Sequence, residues 1–545
     1  MSQRRMPTRR LLDGGDLGPI DLGLQTDDPN FLKTQWRQWL ACVNATLTMV
    51  VVGTVYGWTT TSLVHLTSGT GDVPLVLTND ESSWIVSLTV IGSMIGPFIC
   101  AHFADHYGRK YSLLLCSAVF ASGWIIICYA TKVSSLYIAR VILGIGVGIA
   151  YTVNPMYVSE VADVNIRGAL GTLIAVNVYT GSLLTCTLGL WLTYKSLLMF
   201  LVVLPIVSFL LISYFPETPY FLVRKGRKTE ASKSLAYFKC IVDPQEMKLE
   251  LAALRAQLKS DLRLQSRGDM RLQPRGDIFS QSRDDTLSIS SSDSHRSNSS
   301  EDGNICSWVS KLQLLLQPNN KKALCIMLGL IMAQQLSGNF STMQYLEMLF
   351  RKTAISVNAN IATVLVLGVG LLSGTFSTLL VEHAGRRILL ILSTFGSSIT
   401  LFLLAIYLFL AEHNYDVSIF NVLPVFNVII YQIMYQIGLG TLPNALIGEL
   451  FPAEVKGIAG AIIVIFDGII GFTVSKLYQV VTDASGSYLI YIIFAISCLL
   501  AFLMVVIWVP ETKGKTYREI QALLIGENLN TTNEPIILDQ METYI

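Results

Sequence analysis

Asp105-His106-Tyr107-Gly108-Arg109-Lys110 returns later in the chain as Glu382-His383-Ala384-Gly385-Arg386-Arg387. Pro216-Glu217-Thr218-Pro219 returns as Pro510-Glu511-Thr512-Lys513, and Glu160 with Arg167-Gly168 returns as Glu449 with Lys456-Gly457. These elements recur in one order and at nearly one spacing, so the chain reads as two homologous halves. Duplicated halves in a membrane protein commonly build a site that opens alternately to each side.

Composition points to the same setting. Of 545 residues, 52% are hydrophobic and 14% charged, where a soluble protein carries about 25% charged residues. The mean hydropathy is +0.52, and the apolar runs are of bilayer-spanning length, roughly 20 residues each. We expect spans at 40–66, 84–103, 113–130, 136–158, 170–191 and 197–215, then at 323–350, 361–381, 388–410, 422–448, 458–481 and 488–508. The predicted fold is an all-α membrane protein with twelve transmembrane helices in two six-helix halves. It divides into a tail (1–39), a half (40–215), a linker (216–322), a second half (323–509) and a tail (510–545).

Several function classes drop out. A net charge of +1 gives no bulk attraction to nucleic acid. The arginine-rich start runs into polar sequence up to Trp36, so no cleavable signal peptide is expected. The nine cysteines show no CxxC spacing and mostly lie in apolar runs, as buried thiols do. Without a nucleophile–base set, metal-ligand cluster or phosphate loop, the chain reads as a non-enzyme needing no cofactor and no metal.

Basic residues orient the spans. Arg109, Lys110, Arg167, the 224–228 run, Lys321, Lys322, Arg386, Arg387, Lys456 and Lys513 fall on one side. That face, with both termini, is therefore expected in the cytosol, and the plasma membrane is the expected address. Within the linker, 229–259 reads as amphipathic helix beneath the membrane. The segment Ser280–Ser300 reads as disordered and as a candidate kinase substrate. Two Arg-Gly-Asp triplets precede it, on the cytosolic side, where a solvated linker accounts for them.

Charges at the membrane surface need partners. Asp105 and Arg109 sit at helix ends, with Glu160 and Arg167 as natural partners. Glu382, Arg386, Glu449 and Lys456 repeat the set, and Glu217 and Glu511 follow spans six and twelve. We read these ten residues as a latch that holds the halves shut on that face and breaks when they rock open. Orienting charge alone would account for the bases but not for acids at matched positions. Gly144, Gly146 and Gly148 of span four read as a close helix contact, and Arg140 beside them needs a partner that the sequence does not name.

At this point the motifs resemble the sugar porter branch of the major facilitator superfamily over nearly all the transmembrane length. The resemblance rests on 105–110, 140–148, 155–160 with Arg167-Gly168, and 216–219. It continues through Gln334-Gln335-Leu336-Ser337-Gly338, 382–387, Glu449-Leu450-Phe451-Pro452 and Pro510-Glu511-Thr512-Lys513-Gly514. The segment around Trp58 and the stretch 450–457 look most like insect facilitated trehalose transporter-like proteins. Such a resemblance implies a major facilitator fold with a sugar site at mid-membrane between the halves.

The polar groups at that depth are Gln334, Gln335, Asn339, Asn444 and Asp467, with Thr59 of span one completing the expected substrate-binding set. Amides suit a sugar because each both donates and accepts. Interhelical bonding is the plainer role for Gln334 and Gln335; their place in the family motif favours ligand contact. Departures are numerous. Ala175, Phe340, Gly370, Asn444 and Asp467-Gly468 stand where sugar porters usually carry glutamine, asparagine, asparagine, tryptophan and an asparagine–tryptophan pair. A site stripped of polar partners loses discrimination among hydroxyls, so glucose specificity does not carry over. Asp467 at membrane depth faces water, a partner or a proton, and a role in substrate binding or proton coupling is open. Thr59 stands where proton-coupled porters carry an acid, which favours facilitated diffusion. His106 and His383 replace arginine in both copies of the motif; a neutral filler is the plainer reading and a pH-sensitive contact the sharper one.

The expected function is facilitative transport of a trehalose- or glucose-like sugar by alternating access, with the lipid bilayer and that sugar as partners. A transport-silent sugar sensor and a facilitator of a non-sugar solute are the alternatives.

Overall fold

The structure, a computed structural model, describes residues 31–69, 73–241, 243–245, 247–255, 315–353, 358–417, 420–443, 446, 450–451, 453–513, 515, 519–520 and 523. The linker repeat, the serine-rich segment, Asn444 and Glu449 lie outside them, as do the side chains of Arg167, Glu382, His383 and Lys456. Among the described residues, eleven helices are long and apolar enough to cross a membrane, and Leu423–Ile437 is a shorter apolar one.

The first half contains α1 (Phe31–Ser68), α2 (Asn79–His106), α3 (Arg109–Cys128), α4 (Val133–Val161), α5 (Val164–Leu188) and α6 (Tyr194–Tyr214). Two surface helices follow, α7 (Pro219–Arg224) and α8 (Lys228–Lys239). The second half runs through α9 (Pro318–Leu336), α10 (Asn339–Gln344), α11 (Leu346–Lys352), α12 (Ala359–Ala384), α13 (Arg386–Glu412), α14 (Leu423–Ile437), α15 (Ala453–Ser485) and α16 (Ser487–Trp508).

Small residues set the tightest crossing. A Cβ on Gly92 of α2 would lie 2.8 Å from the Gly144 Cα of α4, and one on Gly96 would lie 2.7 Å from the Gly148 Cα. Backbones this close exclude any side chain, and dispersion between them replaces the hydrophobic drive that lipid removes. Gly146 faces the other way, against Phe120 of α3.

Helix α1 begins at Phe31, earlier than the expected start at 40. The cause is polar packing beyond the apolar run: Gln38 Nε2 donates to Asp163 (2.9 Å) and Asp163 N–H donates back to Gln38 Oε1 (3.0 Å). On the same turn Arg37 stacks on the Tyr237 ring, 5.0 Å from its centroid. Helix α8 buries Ala231, Ser234, Leu235 and Phe238, the one-sided stripe of an amphipathic helix.

Two spans expected to be continuous are broken. The seventh stops at Leu336 and restarts at Asn339 because Gly338 takes a left-handed φ of 72°. A Cβ there would collide with the Phe494 ring. The carbonyl freed at Ser337 accepts the Tyr431 hydroxyl at 3.0 Å. The tenth stops at Ile437, and the N–H freed at Leu439 donates to Ser393 Oγ at 3.0 Å. Interruptions inside a bilayer survive only where such partners exist.

Candidate functional site

At the face carrying the basic residues, the repeated motif proves to be a helix start. Gly108 and Gly385 have φ of 110° and 87° and immediately precede α3 and α13. The carboxylate of Glu217 accepts the N–H groups of Arg109 (3.0 Å) and Lys110 (3.1 Å), the unpaired donors of the first turn. Glu511 does the same for Arg386 (3.0 Å) and Arg387 (3.1 Å). A Cβ on Gly108 would overlap the Glu217 carboxylate, so the glycine makes room for the acid. Glu217 and Glu511 therefore cap α3 and α13, each from just beyond the half that it follows, where the sequence suggested latch partners.

Burial raises the Glu217 carboxyl above the ordinary glutamate range, although the Thr218, Lys110 and Arg109 N–H groups pull the other way. At Glu511 burial also pushes upward, but N–H bonds from Lys513, Arg386, Arg387 and Thr512 outweigh it and hold the carboxyl low.

Arg109 is 3% exposed. Its Nε donates to Glu160 at 2.8 Å and its Nη1 to the Ala104 carbonyl at 2.8 Å. Thr218 donates to the other Glu160 oxygen at 2.6 Å. Arg386 repeats the second contact, with Nη1 3.4 Å from the Val381 carbonyl. Asp105 departs from expectation: it pairs with Arg224 at 3.1 Å, both side chains about half exposed. An exposed pair of that kind contributes about 0–1 kcal/mol, too little to hold two halves together. Neither of these described ion pairs joins the two halves. His106 is exposed, with Nδ1 2.9 Å from the His102 carbonyl and its ring stacked on the His102 ring at 4.4 Å.

Mid-membrane, the halves face each other across aromatic and amide side chains. Tyr151 of α4 is 45% exposed, yet Tyr56, Tyr179, Tyr435 and Asp467, drawn from both halves, lie within electrostatic range of it. Exposure in such company marks a cleft between the halves. Gln335 Nε2 donates to Asp467 at 2.6 Å, which supplies a partner for the half-buried carboxyl. Gln334 shares a hydrogen bond with Tyr435. Asn339 Nδ2 donates to Gln432 (2.8 Å), and Gln432 reaches across to the Tyr179 hydroxyl at 3.4 Å. Phe340 meets Tyr56 edge-on, centroids 5.6 Å apart.

The departures from the family pattern acquire a physical meaning here. A Cβ on Gly370 would lie 3.1 Å from Gln432 Nε2 and 3.3 Å from the Tyr179 ring, so the bare glycine admits the Gln432–Tyr179 contact. Gly468 likewise admits Met94 from the opposite half. Thr59 was expected in the substrate-binding set. It is fully buried and its Oγ1 accepts Arg140 Nη2 at 2.7 Å, so it is not turned to the cleft. Arg140 also donates to the Ile85 and Val55 carbonyls and lies over the Trp58 ring, which answers what partners it has.

Sequence reasoning missed Tyr179, Gln432, Tyr151 and Tyr56. For Gln432 a signal was present: Tyr431-Gln432 and Tyr435-Gln436 repeat one turn apart in an apolar span.

The opposite face is sealed. Lys476 of α15 donates to Asp80 and Ser83 of α2 and lies over the Trp84 ring at 4.4 Å. Asn79 donates to Asp483 (3.0 Å), Ser87 to Ser475 (3.3 Å), and Thr60 of α1 to the Met343 carbonyl of α10 (2.9 Å).

The pattern of the sugar (and other) transporter family matches residues 40–273 and 280–524. A facilitated trehalose transporter, Tret1, of Bombyx mori is 28% identical over 500 residues, covering 91% of this chain and 89% of that protein. Tret1 of Drosophila erecta is 29% identical over 501 residues, 92% of this chain but 53% of that protein. The chain thus spans nearly the whole silkworm relative and about half the length of the fly one. The partially occluded, inward-open xylose transporter XylE of E. coli superposes with a TM-score of 0.64 at 18% identity, covering 87% of this chain and 100% of XylE. Its inward-open form gives 0.65, at 89% and 98% coverage. With its match over most of the chain and a twelve-helix fold shared with a major facilitator, this multi-pass membrane protein belongs to the sugar (and other) transporter family.

Proposed function

We propose that the chain carries a trehalose- or glucose-like sugar by facilitated diffusion, alternating access to a cleft between residues 40–215 and 323–509. One observation carries the reading: a cleft walled by tyrosines and amides from both halves lies beneath a sealed face. Tyrosine rings offer flat apolar surface to a sugar ring while their hydroxyls, with Gln334, Gln335 and Asp467, bond its hydroxyls. The sealed face is the outer one and the basic face is cytosolic, in the plasma membrane, so this conformation is open inward. The cytosolic charge clusters close that side in the opposite conformation. Differential binding of sugar to the two conformations then drives exchange.

Uptake of labelled trehalose, glucose and xylose into proteoliposomes holding the purified chain tests this. Saturable, cross-inhibited flux of one sugar is expected. No flux with any sugar would sink the reading. A second reading, a non-sugar solute or a silent sensor, draws support from Asn339 and Gln432, whose hydrogen bonds are spent on each other. Ligand binding without flux would favour the sensor.

A further inference from the structure

Away from the cleft, a cavity of about 530 Å³ opens on the basic face where α3, the end of α6, α7 and α8 meet. That volume lies in the range of small-molecule sites. Its depth is fixed by the helices: α6 leaves the membrane at Tyr214 and α3 enters it at Arg109, so the cavity sits at headgroup level.

Its charges sort into spent and free. Arg227 and Glu230 neutralise each other through two bonds of 2.8 and 2.6 Å. Glu217 is occupied by the α3 N–H groups and its charge opposes that of Lys110, whose Nζ also donates to the Ser213 carbonyl at 2.8 Å. Lys233, exposed on α8, has no partner among the described residues, so among these the cavity keeps one free cation. Tyr107, Tyr111, Tyr214 and Tyr237 also line it, and their hydroxyls bond to no described residue. Tyr111 and Tyr214 are 55% and 79% exposed. Tyrosine at this depth belongs to the interfacial aromatic belt, and a free ammonium among hydroxyl donors suits a phosphate. Phe215 and Pro216 give the cavity an apolar side.

We infer that this cavity holds the phosphate-bearing headgroup of an anionic phospholipid from the leaflet on that face. Lys233 and the tyrosine hydroxyls hold the phosphate, and Phe215 and Pro216 lie along the acyl stem. Glu217 both lines the cavity and caps α3, so an occupant braces the basic rim of the first half. The inference does not depend on which solute the cleft carries.

The test uses the full chain in nanodiscs of phosphatidylcholine doped with phosphatidylserine or phosphatidylinositol 4-phosphate. Lipid retained after extraction is counted by native mass spectrometry. The anionic lipid should be retained preferentially, and K233Q should lower that retention about fivefold, the worth of one lysine near an anionic surface. K228Q, on the first turn of α8 outside the cavity, should leave it unchanged. No preference in the parent chain, or equal losses in K228Q and K233Q, would overturn the site. Glycerol phosphate bound equally well by the detergent-solubilised chain, with the same dependence on Lys233, would overturn the assignment to lipid.

Discussion

Lys476, late in the eleventh span, reaches across the two halves to Asp80 at the head of the second, its ammonium 2.5 Å from the carboxylate and 4.4 Å from the centre of the Trp84 ring. Asp80 is 72% exposed, so screening limits the ion pair to about 1 kcal/mol or less. The cation–π contact adds about 0.5–1 kcal/mol. Together they bias the sealed conformation without locking it, which a carrier needs. K476Q should therefore raise the population open on that face several-fold. Ser87 lies fully buried beneath the seal, and S87C gives the readout. Its labelling by an impermeant thiol reagent should quicken in K476Q relative to S87C alone. Equal rates would mean that Lys476 does not hold the seal.

Asp467 sits 2.6 Å from Gln335 within the second half. In a facilitator this carboxyl orients an amide and needs no proton cycle. D467N retains an acceptor for Gln335, so uptake should stay within about twofold and its pH profile should keep its shape. D467A strands the amide in a half-buried place, at a cost of about 1–3 kcal/mol. Apparent affinity should fall roughly tenfold or more. Loss of uptake in D467N together with loss of its pH dependence would instead make Asp467 a proton carrier.

Much of the architecture was legible because an acid at the membrane surface is costly unless partnered, so acids at matched positions in both halves point to one duplicated framework. Glu217 and Glu511 flagged the duplication even though their task, capping α3 and α13, became clear only with Gly108 and Gly385 in place. The two broken spans were not legible. Ser337-Gly338 lies inside an apolar run, and what permits the break is the hydroxyl of Tyr431 on another helix. Hydropathy registers one segment at a time and cannot see that partner. The partner of Thr59 was hidden for a related reason: Arg140 reaches its hydroxyl from the fourth span. Gln432 was visible but uncounted, because an amide in an apolar run shows its purpose only when Gly370 opens a path to Tyr179.

The break at Gly338 makes a stability prediction. Its φ of 72° favours glycine, and a Cβ would overlap the Phe494 ring, itself buried. G338A should cost about 1–2 kcal/mol for the backbone alone, with repacking of Phe494 adding about 1–3 kcal/mol. The melting temperature in detergent should fall by several degrees. If it does not, the seventh span is free to run straight and the break is not enforced by this residue.

The two capping acids should respond oppositely to pH. Burial leaves Glu217 with a raised carboxyl pKa, and four N–H bonds leave Glu511 with a lowered one. For Glu217 the folded state binds its proton more tightly than the unfolded chain. Its linked stability is thus largest below the unfolded value and is lost as pH rises through the raised one. For Glu511 the gain is present above the unfolded value and is lost as pH falls through the lowered one. Melting temperatures of the parent chain, E217Q and E511Q across mildly to strongly acidic buffers separate the two. E217Q should remove a stabilisation that grows on mild acidification, just above the ordinary glutamate range. E511Q should instead remove a loss that sets in as pH falls through that range and is complete only below it. Superimposable pH profiles for the two variants would show that the caps, though alike in geometry, do not differ in burial as the structure has them.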